Sequence, residues 1–195
     1  MKLRRTFASL LAALVATMLI VAPAPSPANA DDPPLPLINV GSNKCFEPTE
    51  PTGHVEWAGD PVKQSTCRGA ALQNWRFESV GYVTYNGGEP PWWCFWCITI
   101  GNTGYHIVNQ QTGQCLDARD GATADWSVVQ QWTCKDNNAR SMIWFIGDGD
   151  FPDAKTLFNV NSELCLDVAW GSSDDGAQIQ QFHCTSDNTA QNFRQ

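Results

Sequence analysis

Beyond residue 30, the apolar residues of this chain fall in short runs rich in Val, Ile, Phe and Trp, interrupted by Gly, Asn and Asp. None of these stretches holds a helical apolar period for three turns. Short apolar runs bounded by turn-forming residues predict an all-β fold of short strands. The one longer apolar run, residues 10–22, follows a basic start of Lys2, Arg4 and Arg5 and precedes Pro23, Pro25 and Pro27 and the small-residue stretch Ala28-Asn29-Ala30. That layout predicts a signal peptide over residues 1–30 and export of the remainder. The run is too short to span about 30 Å of hydrocarbon, and no later segment is apolar enough to do so.

The polar and apolar positions then repeat. Residues 107–144 align with 157–193 at a constant shift of fifty: Asn109 with Asn159, Cys115-Leu116-Asp117 with Cys165-Leu166-Asp167, Gly121 with Gly171, and Gln130-Gln131 with Gln180-Gln181. Trp132 then falls on Phe182 and Cys134 on Cys184. A weaker third copy lies upstream, with Asn39, Cys45 and Cys67 in register and Gln73-Asn74-Trp75 matching Met142-Ile143-Trp144 and Gln191-Asn192-Phe193. A period of this size marks a repeat architecture. None of the three copies is large enough for a core of its own, so they are expected to pack about a shared pseudo-threefold centre. Trp75, Trp144, Phe193, Leu116 and Leu166 are the expected core. The predicted layout is a Pro-rich lead-in at 31–37, repeats at about 38–77, 105–146 and 156–195, and an insertion at 78–104.

Charge narrows the partners. The formal net charge of −8 becomes −11 once the three basic residues of the signal segment are removed. So acidic a chain repels phosphate backbones and anionic lipid surfaces, which argues against nucleic acid and membrane partners. All eight cysteines lie beyond residue 30, an even number that fits an exported disulfide framework.

The Cys-Leu-Asp start, the Gln-x-aromatic-x-Cys middle and the closing Gln-x-Trp-like element resemble the ricin B-type lectins, a family also met as xylan-binding modules of bacterial glycosidases. The resemblance covers essentially all of the chain beyond residue 30. It implies a β-trefoil of twelve strands, pairing of the two cysteines within each copy (Cys45–Cys67, Cys115–Cys134 and Cys165–Cys184), and a shallow sugar pocket on each competent repeat. The aspartate accepts hydrogen bonds from two vicinal hydroxyls, and the aromatic stacks on the apolar ring face. The glutamine two residues before it and a residue near the closing element complete the polar ring. Carried over, the second repeat offers Asp117, Gln130 and Trp132, and the third Asp167, Gln180, Phe182 and Gln191. The family's closing asparagine falls on Ser141 and Ala190, so each site is expected to lack one polar contact. In the first repeat Glu47, Lys63 and Ser65 stand at the site positions, and no sugar binding is expected there.

The chemistry suits the residue types. A sugar is neutral and amphipathic, so it needs a flat apolar surface on one side and fixed polar groups on the other. A carboxylate supplies stronger hydrogen bonds than a neutral acceptor. As turn formers, Asp117 and Asp167 have a purely structural alternative. Trp126 and Trp170, between the half-cystines, either add stacking surface or cover the base of their own loops.

The insertion carries Pro90-Pro91-Trp92-Trp93-Cys94-Phe95-Trp96-Cys97. It lacks the βαβ context of a redox dithiol and the further ligands of a zinc site, so a local Cys94–Cys97 disulfide is expected. Trp92, Trp93, Phe95 and Trp96 form either an inward lid or a surface for a protein partner. His54, His106 and His183 sit in no nucleophile motif, no phosphate loop is present, and a small trefoil has no deep cleft for a carboxylate pair. The expectation is a glycan-binding protein with no catalysis, cofactor or metal. The competing reading is a trefoil used for protein interaction, as a toxin's binding subunit or an enzyme inhibitor.

Overall fold

The computed structural model describes residues 33–49, 58–84 and 102–195. The segment predicted as a signal peptide and the aromatic run with Cys94 and Cys97 lie outside the described residues. Strands and three-residue 3-10 turns make up the regular structure, and no α-helix occurs among the described residues.

The alternation of apolar and polar residues places each strand. β1 (Leu35–Pro36) and β2 (Ile38–Asn39) are two short strands separated by Leu37. The first repeat continues with β3 (Cys45–Pro48), β4 (Val62–Ser65) and β5 (Asn74–Val83). The second holds β6 (Asn102–Asn109), β7 (Cys115–Ala118), β8 (Val129–Trp132) and β9 (Trp144–Asp148). The third holds β10 (Lys155–Asn159), β11 (Cys165–Val168), β12 (Ile179–Phe182) and β13 (Phe193–Arg194). All pairing between these strands is antiparallel.

The outer strands of the three repeats form a ring. β5 pairs with β6, β6 with β9, β9 with β10, β10 with β13 and β13 with β2, and β1 closes the circle onto β5. The middle strands form three hairpins, β3–β4, β7–β8 and β11–β12. Bridges at Pro61 with Gln130, Val128 with Gln180 and Lys63 with Gln178 join them into a triangular cap. A six-stranded barrel capped by three hairpins about a threefold axis is a β-trefoil.

One shared core fills the barrel. Phe46, Leu116 and Leu166, one from each hairpin, meet Trp75, Trp144 and Phe193 from the closing elements, all fully buried. Burying a side chain of this kind contributes roughly 1.5–3 kcal/mol. Each tryptophan also needs a partner for its ring nitrogen. Trp75 donates to the carbonyl of Phe46 at 3.1 Å and Trp144 to that of Leu116 at 3.0 Å. Phe193 needs none and packs edge-on against Phe46.

Two buried polar positions explain recurrences in the sequence that concern the fold. Asn39, Asn109 and Asn159 each accept hydrogen bonds from two backbone amides of the following turn and donate to a carbonyl of another repeat's closing turn. Gln64, Gln131 and Gln181 each accept from a hydroxyl of that same turn, Ser42, Thr112 and Ser162. Disulfides join Cys45 to Cys67, Cys115 to Cys134 and Cys165 to Cys184. The base of the 78–104 insertion continues two barrel strands, with β5 and β6 paired out to Val83 and Asn102.

Candidate functional site

Strand alternation separates two sets of side chains on each hairpin. On β7 and β8, Leu116 and Val129 point into the core, while Asp117 lies opposite Gln130 and Cys115 opposite Trp132 on the other face. On β11 and β12 the same register sets Asp167 opposite Gln180 and Cys165 opposite Phe182. The structure thus brings Asp, Gln and aromatic together twice, on the outer side of the cap.

In the second repeat the carboxylate is held from two sides. Gln130 Nε2 donates to Asp117 Oδ2 at 2.9 Å, and the Ser141 hydroxyl donates to Oδ1 at 2.7 Å. Asp117 is 5% exposed. A carboxylate offers about four acceptor positions, so each oxygen retains one for a ligand hydroxyl. Ser141, at the position of the family's closing asparagine, thus meets the carboxylate directly. Sequence reasoning missed Arg119. Its Nε donates to Gln130 Oε1 at 2.8 Å and Nη2 to the Gly59 carbonyl at 2.9 Å, which turns the amide's nitrogen toward Asp117. Trp132 is 37% exposed, and a Cβ added at Gly59 would come within 3.2 Å of its ring. The first repeat's backbone thus supports the second repeat's aromatic.

In the third repeat Gln180 Nε2 donates to Asp167 Oδ1 at 2.9 Å and Gln191 Nε2 to Oδ2 at 3.2 Å. Burial pushes the Asp167 carboxyl above the usual carboxylate range, partly opposed by those two amides. Gln191 also donates to the His183 carbonyl and accepts from the Thr185 amide. It is almost wholly buried behind the carboxylate, so it positions Asp167 and presents little surface of its own.

The third repeat differs most in its aromatics. Phe182 packs against Trp126 with centroids 4.3 Å apart and against His183 at 3.9 Å. Trp126 stacks on Trp170 at 4.8 Å, with ring planes 25° apart. Trp126 is 48% exposed and Trp170 84%. Trp126 belongs to the second repeat's inner loop, so this cluster crosses a repeat boundary. Asp125 clamps the loop in place, accepting from the His183 amide at 2.7 Å and facing its ring nitrogen at 3.1 Å.

In the first repeat the equivalent place is filled. Glu47 lies opposite Lys63 and Cys45 opposite Ser65. Arg68 meets Glu47 at 2.6 Å, and Ser65 also donates to it. The carboxylate is neutralised by the protein's own cation, and Ser65 stands where the other repeats have an aromatic.

Among the described residues, no group of His, Cys, Asp or Glu could hold a metal ion, and no helix is long and apolar enough to cross a membrane. The fold is a β-trefoil that carries two carboxylate–amide–aromatic clusters on its cap. Residues 93–182 match the family described as the ricin-type β-trefoil lectin domain-like family. No curated protein matches the sequence. Among solved structures, the designed threefold symmetric protein ThreeFoil aligns at 22% identity with a TM-score of 0.60, over 81% of this chain and 94% of its own. The ricin B-like lectin of Macrolepiota procera, solved in complex with lactose, aligns at 15% identity and 0.55, over 82% and 91%. An exo-β-1,3-galactanase of Clostridium thermocellum aligns at 22% identity and 0.64, over 84% of this chain but 30% of that one. At these identities the likeness shows the fold.

Proposed function

We propose that this chain is an exported, non-catalytic carbohydrate-binding protein of the ricin B type, with one shallow glycan site in the second repeat and one in the third. The observation that carries the reading is the pattern of loss and retention across the cap. Two repeats keep a buried carboxylate held by a glutamine amide beside an aromatic, and the first substitutes all three while keeping every residue its hairpin needs. The family match over residues 93–182 and the lactose-bound lectin of the same fold support it. The galactanase match shows the fold as part of a larger enzyme, a context in which it also serves as a module.

In each site the carboxylate accepts from neighbouring hydroxyls and the aromatic covers the apolar ring face. An epimer with one hydroxyl misplaced leaves a buried polar group unpaired, which is the source of selectivity. A shallow pocket of this kind holds a monosaccharide at about millimolar, near −4 kcal/mol. A glycan-dense surface that engages both sites gains by effective concentration, by roughly a hundredfold or more where geometry permits. The test is binding of Asp117→Ala, Asp167→Ala and the double variant to a panel of immobilised polysaccharides and free monosaccharides. Each single change reduces polymer binding steeply and the double change removes both activities. Wild-type binding by the double variant contradicts the assignment.

A further inference from the structure

The backbone around Trp126 recurs in all three repeats. Gly59, Trp126 and Gly176 each have positive φ, at 94°, 70° and 85°. Each donates its amide to the carbonyl of the structural glutamine on a neighbouring hairpin, Gln131, Gln181 and Gln64. Two repeats use glycine there, the residue that this conformation favours. The second repeat places a bulky indole on the same strained backbone.

Trp170 repeats the pattern. Its φ of 61° matches the 58° of Asp120 at the equivalent position of the second repeat. Aspartate tolerates this region better than tryptophan does. The two strained tryptophans come from different repeats, stack on one another and are both exposed, Trp170 far more than Trp126. The fold is built without them at the sister positions, so the hairpin itself requires neither a tryptophan on the strained backbone nor the exposed indole area. Strain of this kind collects at functional sites.

Their position says what they adjoin. Trp170 follows Asp167 by three residues, and Trp126 lies on Phe182, which follows Gln180 by two. Trp126 and His183 both pack on Phe182, so the larger open aromatic surface in this repeat belongs to the tryptophans. We propose that Trp126 and Trp170 form a stacking platform that extends the Asp167 site to at least two consecutive rings of a neutral glycan chain. This rests on the carbohydrate reading above. Asp167 and Gln180 hold the hydroxyls of one ring, and the indole pair carries the apolar face of the next. The second repeat has Gly59 and Asp120 in these places and reads a single ring. Asp125 and Asp167 beside the platform disfavour anionic sugars.

The experiment uses the full chain with Asp117→Ala, which silences the second repeat. Calorimetry and tryptophan fluorescence follow titration with galactose and lactose, xylose and xylotetraose, and glucose and cellotetraose. Trp126→Gly and Trp170→Asp install the sister repeats' own residues, so a fold control by thermal melting should show no loss. The expected result is an oligosaccharide bound about tenfold more tightly than its monosaccharide, with that preference cut to about twofold by either substitution, and with monosaccharide affinity kept in Trp170→Asp, which leaves Trp126 in place on Phe182. The exciton signal of the stacked indoles in circular dichroism disappears in both variants. An oligosaccharide preference that survives the double substitution overturns the platform and leaves the Asp167 site standing if Asp167→Ala still abolishes binding. Unchanged binding in the Asp117→Ala, Asp167→Ala double variant overturns the underlying reading instead, and failure of the wild type to bind any of these sugars contradicts both.

Discussion

The first and third repeats are the same hairpin built for different ends. Both keep the buried asparagine, the turn hydroxyl bonded to a fully buried glutamine, the intrarepeat disulfide and the large closing aromatic. They differ at the alternate positions on those strands. Asp167, Gln180 and Phe182 of the third stand where the first has Glu47, Lys63 and Ser65. Because strand side chains alternate between faces, the residues the fold needs and those of the proposed site are interleaved but independent. The inward set persists in all three repeats, and the outward set only in the second and third. In the first repeat Arg68 meets the carboxylate that in the third is held by two neutral amides. A guanidinium in that place consumes the acceptor positions that a sugar hydroxyl would use.

The comparison breaks most visibly at the carboxylates. Asp117→Ala with Asp167→Ala is expected to remove glycan binding altogether and to lower stability as well, since Gln130, Ser141, Gln180 and Gln191 lose the buried acceptor they donate to. Loss of a disulfide is the next largest effect and should not discriminate between repeats. Opening Cys45–Cys67 or Cys165–Cys184, with loops of 22 and 19 residues, costs about 3 kcal/mol each in the chain-entropy model. Denaturant unfolding of the paired Cys→Ser variants measures it, and a much smaller cost in the first repeat would show that its scaffold has decayed along with its site.

Acid sharpens the third repeat. Its carboxyl titrates above the usual carboxylate range because burial disfavours the charge. In the Asp117→Ala background, glycan affinity should therefore fall as pH drops through a value above that of an ordinary aspartate. Stability moves the other way. With the folded pKa raised above the unfolded one, the charged form is penalised in the fold, so this group's stabilising contribution is present at low pH and is lost as pH rises through the folded pKa. A pH series of calorimetric titrations and melts with and without Asp167→Ala separates the two. Glu47→Ala is the smallest change. It should leave glycan affinity within error and cost at most about 1 kcal/mol, since Arg68 is half exposed and such pairs contribute little.

Much of this was legible in the sequence. The shift of fifty between Cys115-Leu116-Asp117 and Cys165-Leu166-Asp167 placed the hairpins and the core residues, because a repeat preserves register. The division of labour within Gln130-Gln131 was not legible from the repeat alone, since both residues recur. The family resemblance assigned the first to the site; the structure shows it meeting the carboxylate and the second tying a turn. The first repeat was legible as the one with neither amide nor ring. That Arg68 fills it was hidden, because Arg68 lies outside the repeated positions. Contacts across repeats were also hidden. Aligning copies sets Trp126 against Gly176, whereas in space it meets Phe182 and Trp170 of the next repeat, a neighbour that internal symmetry does not name.

The central claim is that the outward faces of the second and third hairpins bind glycan and that of the first does not. Heteronuclear NMR of the labelled protein, titrated with the saccharide that binds best among those above, tests it residue by residue. The account predicts shifts at the amides of Asp117, Gln130 and Trp132 and of Asp167, Gln180 and Phe182, with Glu47, Lys63 and Ser65 unmoved. Saturable shifts at Glu47, Lys63 and Ser65 with none at the other two hairpins would contradict it.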